Sequence, residues 1–451
     1  MSLSDSKIVY LTAGAGGMFC GSCMHDNALS RALSEHGWNI HLVPTYTPIR
    51  TDEKDFSVDQ VLFGGINVYL QQKIPLFRFL PSFLDRFLDS PWLIRKVTSR
   101  AMETDSKMLG KLAHSMLLGS KGNQKKQVNQ VCQWLKLSKP DMVIFSNVLI
   151  GGCIEDIKRQ FDFPVLVTLQ GDDVFLDSLI EPFKTKCIDR VKEIVKYVDG
   201  FIVQSEFFRE YMAGYFSIPL DKIHVTPLGI EVSDFARFLD GSRGDGGPVE
   251  SSVVDANSKI KSEKTIGYMA RLATEKGLHH LVDAFIKLKS KPDTDHIKLK
   301  IAGWLSKENQ PYAEAQWARL KNAGLESEYQ YLGSIERERK IEFFGEIDLL
   351  SVPTEFQEPK GIYVLESLAA GIPVVVPAHG AFPELIKHSQ GGTLFTPGDT
   401  GELAERLFEL LNDDPRRLEL GGQGQRFVHG ERNATSMAIA TSELIKSFLG
   451  F

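Results

Sequence analysis

The chain has 451 residues, of which 43% are hydrophobic and 24% charged, with a formal net charge of −6. That length exceeds what one core serves and predicts two soluble domains, while the acidic balance excludes a general nucleic-acid binder. No run approaches the roughly 20 apolar residues of a membrane span, and five scattered cysteines make no disulfide framework, so a reducing cytoplasm is expected.

Lys7 to Thr12 is a short β-branched run that leads into the glycine-rich GAGGMFCGSC. A helical pattern follows through Ala28, Leu29, Ala32 and Leu33 to Gly37, and Asn39 to Pro44 reads as the next strand. This β-loop-α-β opening is that of a doubly wound α/β domain. Within the loop, Cys20 and Cys23 form a CxxC with His25 nearby. A structural zinc usually takes four ligands and the chain offers no second CxxC, which favours small polar residues shaping a loop over a metal or redox site. The GAGG also invites a nicotinamide reading. Phe19, however, stands at the third glycine of that fingerprint, and the second strand ends at Val43, Pro44 and Thr45 without an acid.

Residues 74 to 97 are the most aromatic segment, with Phe83, Phe87 and Trp92 near helical spacing and Arg78, Arg86, Arg95 and Lys96 interleaved. The segment reads either as a peripheral contact with a membrane surface or lipid acceptor, or as an amphipathic helix packed on its own domain. Asp85 and Asp89 dilute the basic face and favour the second. Further strands are expected at Met142 to Ser146, Val165 to Leu169 and Gly200 to Val203, and the first domain closes near Ile223 to Ile230.

Ser233 to Lys264 lacks periodicity and is loaded with Gly, Ser and Asp, the composition of a linker or surface loop. The alternation then restarts with a strand at Thr265 to Met269, a helix from Leu278, a strand at Leu299 to Ala302, a helix through Trp317 and Leu320, and a strand at Tyr329 to Leu332. Residues 348 to 384 read as strand (Leu349 to Val352), loop, helix to Gly371, and strand (Pro373 to Val376). Gly361 lets the backbone approach a ligand where that helix begins and its free N–H groups and positive dipole end would hold an anion. Glu358 and Glu366 flank it, and amides for phosphate beside carboxylates for hydroxyls suit a sugar nucleotide. Helices at Glu402 to Leu411, Arg416 to Val428 and Ala434 to Phe448 end the chain. The expected division is a first domain over 1–232, a linker over 233–264, a second domain over 265–430, and a C-terminal helix over 431–451 that can return to the first domain.

Taken in order, IGYMARLATEKGLHHLVDAF, KIAGW, YLGSI, the 348–384 stretch and GTLFTPGDTGELAERL resemble the retaining glycosyltransferases of family 4. The first half is similar more loosely, through its glycine loop, FIVQSEFFREYM and VTPLGIEVSDF. The resemblance implies the GT-B fold, two facing Rossmann-like domains with the active site in their cleft. It implies transfer of a sugar, hexosyltransferase type, from a nucleoside-diphosphate sugar to a carbohydrate or lipid-linked acceptor hydroxyl, with no metal and no further cofactor. Arg271 and Lys276 would meet the charge that develops on the leaving diphosphate. Glu366 would accept hydrogen bonds from the ribose, Glu358 would contact the donor sugar near the reacting centre, and the amides of Gly361 and Ile362 would bind phosphate or sugar oxygens. Lys360 stands where the family usually has a phenylalanine and can add charge near the donor. Gln170, in LVTLQGDDVFL, occupies the position of a family histidine, so hydrogen bonding replaces any ionisable role there, with Asp172 or Asp173 as candidate helpers. The first loop is about four residues longer than usual, leaving Gly16, Gly17 or Gly21 as its functional glycine. A non-catalytic nucleotide-sugar-binding protein on the same fold is the alternative that the Gln170 departure raises.

Overall fold

The computed structural model describes residues 3–14, 21–58, 61–62, 106–239 and 263–451. The aromatic segment 74–97, Gly16, Gly17, Cys20 and most of the expected linker lie outside the described residues.

The chain divides into two compact units, Met1–Leu228 with Ala434–Phe451, and Gly229–Asn433. The first carries β1 (Lys7–Thr12), α1 (Gly21–Glu35), β2 (Asn39–Pro44), α2 (Ser106–Leu117), α3 (Lys125–Ser138), β3 (Met142–Phe145), α4 (Ile154–Lys158), β4 (Val165–Thr168), α5 (Asp172–Asp177), α6 (Phe183–Ile194), β5 (Gly200–Val203), α7 (Glu206–Phe216) and β6 (Ile223–Val225). Every strand pair is parallel, in the order β2-β1-β3-β4-β5-β6. Strands β3, β4 and β5 are buried at every position, which explains their unbroken apolar runs: helices cover both faces of such a sheet. Helix α1 begins seven residues before the expected apolar pattern at Ala28, so Gly21, Cys23 and His25 belong to a helix rather than a loop. The buried Asp26, Asn27 and Ser30 put polar residues on the inward face of the helix's first ten residues, which hides the apolar period there.

The second unit carries β7 (Lys264–Met269), α8 (Leu278–Lys289), β8 (Ile297–Ala302), α9 (Gln310–Asn322), β9 (Tyr329–Tyr331), α10 (Arg337–Glu346), β10 (Leu349–Leu350), α11 (Ile362–Ala369), β11 (Val374–Pro377), α12 (Phe382–Ser389), β12 (Gly392–Phe395), α13 (Thr400–Asn412) and α14 (Asp414–Glu431). Its sheet is also parallel throughout, ordered β12-β11-β10-β7-β8-β9. In sequence terms that is the doubly wound order in which the winding direction reverses between the first and fourth strands, here β7 and β10. Open α/β sheets bind ligands outside the carboxyl ends of the strands at such a reversal.

The unit boundary falls after Leu228, four residues before the expected 232. Ile230 N–H donates to the Arg432 carbonyl at 2.9 Å, Ile230 and Asn433 form a parallel bridge, and the buried Phe235 packs beside Phe344 with ring centroids 5.9 Å apart. These contacts tie the segment after Leu228 to the second unit. The last helix, α15 (Ala434–Leu449), belongs to the first unit and packs on α1. Trp38 Nε1 donates to Ser442 Oγ at 2.9 Å, and the Phe448 ring sits where a Cβ on Gly200 would be, at 2.6 Å, so β5 needs glycine there.

Candidate active site

The loops that follow β7 and β10 meet through glycines. Gly277 has φ +70°, and a Cβ on it would stand 1.8 Å from the Pro353 carbonyl oxygen, so only glycine lets the two loops touch. The contact is then stitched from the other side: the Glu275 carbonyl accepts from Glu355 N–H at 3.0 Å and from Thr354 Oγ1 at 2.7 Å. The hydroxyl of buried Tyr268, at the end of β7, lies 3.4 Å from the Arg271 carbonyl and 3.3 Å from that of Lys276, and so braces the segment that carries both cations.

This stitching brings two of the expected residues, Lys276 and Glu358, together. Lys276 Nζ forms an ion pair with Glu358 Oε1, both side chains being largely buried. The same ammonium lies 5.4 Å from the centroid of Phe356, and Tyr363 Oη is 3.5 Å from Glu358 Oε1. Gly361, with φ +69°, is the residue that turns the chain into α11, and its carbonyl accepts from Val364 and Leu365. The N–H groups of Ile362 and Tyr363 at this end have no intrahelical acceptor and point out of the helix start, with no side-chain cap across them. Lys360 stands half-buried in the turn just before. Arg271 is more exposed and pairs with Glu275 at 2.5 Å, one helical turn further on in sequence.

Glu366 is buried on α11, and its partner is Lys340 of α10 at 2.5 Å, with both side chains at most 7% exposed. Sequence reading assigned no role to Lys340. The buried Ile341, Phe343 and Phe344 around it do not repeat at helical spacing over a long window, so α10 gave little periodic signal. His379 was also passed over. Its Nε2 lies 2.9 Å from the Thr354 carbonyl and donates to it, which leaves Nδ1 as an acceptor that is buried and unpartnered. Burial lowers the pKa of this ring, which favours its neutral form. Gly380 beside it lets the backbone pass against Glu358, where a Cβ would be 2.7 Å from Glu358 N and O, and Ala381 N–H donates to the Glu358 carbonyl at 2.8 Å.

In the first unit Gln170 is 9% exposed and belongs to an internal network. Its Nε2 donates to Asp26 Oδ1 and to the Ser146 carbonyl, each at 2.8 Å. Asp26 also accepts from Tyr10 Oη at 2.9 Å and Thr12 Oγ1 at 2.7 Å. The expected helpers divide: Asp172 Oδ2 takes the Gln170 backbone N–H at 2.9 Å and Oδ1 that of Val148 at 2.7 Å, whereas buried Asp173 has an Oδ1 with no partner. The Gln170 side chain therefore works with Asp26, which sequence reading left out. Burial pushes the carboxyls of Asp172 and Asp173 up to about 6. Gly21 is exposed at the first position of α1. Cys23 is buried, and Cys132, Cys153 and Cys187 are buried free thiols.

Two parallel, doubly wound units, the second with cations and carboxylates gathered at its topological reversal, define a protein of the GT-B class. Solved structures share this architecture. Sucrose-phosphate synthase from Thermosynechococcus elongatus superposes with a TM-score of 0.67 at 16% identity, covering 99% of each chain. HepE of Anabaena, solved in complex with UDP, gives 0.64 at 15% identity over 98% of this chain and 100% of that one. Residues 252–427 match the family model described as glycosyl transferases group 1. An uncharacterised glycosyltransferase of Methanocaldococcus jannaschii is 29% identical over 245 residues, 54% of this chain and 59% of that one. Alpha-monoglucosyldiacylglycerol synthase of Streptococcus pneumoniae is 25% identical over 268 residues, 57% of this chain and 56% of that one. The aligned part thus spans less than two thirds of either relative. The matched residues lie in the second unit, which is thus similar to the group 1 glycosyltransferases.

Proposed function

We propose that the chain is a retaining glycosyltransferase that moves a sugar from a nucleoside-diphosphate sugar to an acceptor hydroxyl, with the second unit as donor side and the first as acceptor side. The observation that carries this reading is the Lys276–Glu358 pair at the open end of α11. In the structure the two charges satisfy each other. A diphosphate arriving at the α11 N–H groups would draw Lys276 onto phosphate and release Glu358 to accept from sugar hydroxyls. Arg271 would exchange Glu275 for phosphate in the same way, and the two cations would stand where a divalent ion would otherwise balance the leaving group. Glu366, held by Lys340, keeps a carboxylate for the ribose, and the His379 Nδ1 lone pair offers one further acceptor near Glu358. In a front-face transfer the departing phosphate takes the proton of the incoming hydroxyl, so Gln170 need only hold its neighbours in place. The names of matched proteins support this class of substrate: one relative is a GDP-mannose-dependent mannosyltransferase of Mycobacterium tuberculosis, and HepE was solved with UDP-glucose. No helix among the described residues is long and apolar enough to cross a membrane, and the buried free thiols of Cys132, Cys153 and Cys187 support a reducing compartment.

The test is calorimetric titration with UDP, GDP and ADP, followed by slow hydrolysis of the matching sugar nucleotides. One base is expected to bind, Lys276→Ala to weaken it at least tenfold, and the released sugar to keep its anomeric configuration. Equal nucleotide binding by wild type and Lys276→Ala sinks the assignment. A second reading, a non-catalytic binder, is favoured by Gln170, both of whose amide hydrogens are engaged within the first unit. Tight nucleotide binding with no hydrolysis of any donor would select it.

A further inference from the structure

One cluster lies outside the residues assigned to the donor. His279 and His280, in the first turn of α8, both aim Nε2 at a single oxygen of Glu355: the separations from Oε1 are 3.1 Å and 3.0 Å. The two rings lie 4.0 Å apart at 40° to each other, so adjacent histidines that would normally diverge by about 100° around a helix have been folded onto one point. Among the described residues this is the group of three histidine or acidic side chains whose ligand atoms all fall within 4.8 Å of one another. Ligand atoms about 2.0–2.1 Å from a tetrahedral zinc stand about 3.3 Å from each other. The nitrogen-to-oxygen edges found here are within a few tenths of that value.

We propose that His279, His280 and Glu355 form a divalent-cation site of the zinc class, with three protein ligands and the remaining position open to water. Two imidazoles and a carboxylate are a borderline set that zinc and its late first-row neighbours prefer over magnesium or calcium. The outer shell is built as well. Tyr312 Oη accepts the His279 backbone N–H at 3.1 Å and lies 2.9 Å from Nδ1 of the same ring, which fixes the ring's orientation and leaves Nε2 to face the cluster. Glu355 is fixed at its backbone by the 3.0 Å bond to the Glu275 carbonyl, and it stays exposed enough to give an ion an entry path. An ion here would clip the loop after β10 to the start of α8, across the contact that Gly277 makes possible. The site is thus a clamp on the loops that carry Lys276 and Glu358, and its ligands are not those assigned to the donor.

The test uses the full chain without nucleotide, so its outcome is independent of sugar transfer. Cobalt(II) is titrated as a spectroscopic stand-in for zinc, with zinc competition to follow. One equivalent is expected to bind with visible ligand-field absorption and to be displaced by zinc. His280→Ala is expected to abolish the absorption. Tyr312→Phe is expected to weaken affinity about tenfold or more by loosening a ligand's support. Glu355→Gln keeps the shape and a hydrogen-bond acceptor while removing the anionic ligand, so loss of binding in a variant that melts like wild type supports the site even if His280→Ala folds poorly. Absence of the absorption in wild type, or its persistence in Glu355→Gln, overturns the proposal.

Discussion

The carboxyl ends of the two sheets solve the burial of polar groups in opposite ways. Beyond β7 and β10 the solution is charge against charge: Lys276 with Glu358, Lys340 with Glu366, Arg271 with Glu275. Beyond β1, β3 and β4 one buried carboxylate, Asp26, is met by the neutral donors Tyr10, Thr12 and Gln170, with the buried His25 Nδ1 3.3 Å from the same carboxylate, and two more acids, Asp172 and Asp173, are held toward protonation by burial. The first arrangement can trade partners at Lys276 and Arg271 with a ligand that brings an anion for each cation and hydroxyls for the released Glu358, while Lys340 stays with Glu366. The second cannot, since taking a donor from Asp26 leaves a buried carboxylate short of a partner. That contrast is what a donor side built for diphosphate and a neutral acceptor side would require.

The largest test removes one member of Lys340–Glu366, the most buried of these three pairs. Replacing Lys340 by Ala strands the Glu366 carboxylate and is expected to destabilise the second unit by about 3–5 kcal/mol, read by urea unfolding. Converting both partners, Lys340→Met with Glu366→Leu, is expected to restore most of that loss, because an apolar pair of similar volume avoids desolvating two ions. Nucleotide binding should be lost in the double variant although its stability recovers, which separates the role of Glu366 as a ribose acceptor from its role in the core. If Lys340→Ala unfolds at the wild-type urea concentration, the pair is not buried in solution and the contrast fails on its charged side.

The neutral side is tested with pH. Asp172 and Asp173 have folded-state values near 6 against 3.8 for the free side chain, so the folded form holds their protons more tightly. Their contribution is fully present below about pH 4 and is lost as pH rises through 6. Between pH 4.5 and 6.5 wild type should lose on the order of 1–3 kcal/mol from this pair, and Asp173→Asn should lose less. Comparing the two proteins at each pH cancels the histidines at 41, 114, 224, 279 and 379, whose lowered values act in the opposite sense. It also cancels Glu328, where burial opposes but hydrogen bonds from Lys289 and Lys298 prevail and bring the carboxyl down to about 2, a window below pH 4.5. Identical pH slopes in the two proteins would remove Asp173 from the account.

Much of this was legible in the chain, for reasons that differ by unit. The β7 and β10 loops could be placed because each follows an apolar run buried on both faces and precedes a helix with regular apolar spacing, as at Leu278, Leu281, Val282 and Phe285. Glu358, Gly361 and Lys276 sit at those junctions, so position along the sequence nearly fixes position in space. Lys340 and Asp26 could not be found that way. Each is a polar residue facing inward on a helix whose periodicity it interrupts, and its partner lies 26 residues away for Lys340 and 144 for the Asp26–Gln170 bond. The His279–His280–Glu355 cluster was hidden for the same reason, its carboxylate being 76 and 75 residues from its histidines.

The smallest effect on folding should accompany one of the largest on binding. Arg271 and Glu275 form an exposed pair, with side chains 46% and 37% accessible, and such pairs contribute about 0–1 kcal/mol. Arg271→Ala is therefore expected to move the unfolding free energy by less than about 0.5 kcal/mol. If the guanidinium swaps Glu275 for phosphate, the same variant loses charge-assisted hydrogen bonds of about 1.5–3 kcal/mol, which is about 10- to 100-fold in affinity for the nucleoside diphosphate. Arg271→Lys should recover only part of this, since a point charge replaces a two-pronged fork. Glu275→Gln provides the opposing check: it frees Arg271 in advance, so the diphosphate should bind as tightly as to wild type or tighter. A Glu275→Gln variant that binds the diphosphate more weakly would mean that the carboxylate positions Arg271 instead of merely holding it until phosphate arrives. The charged side would then be as fixed as the neutral one.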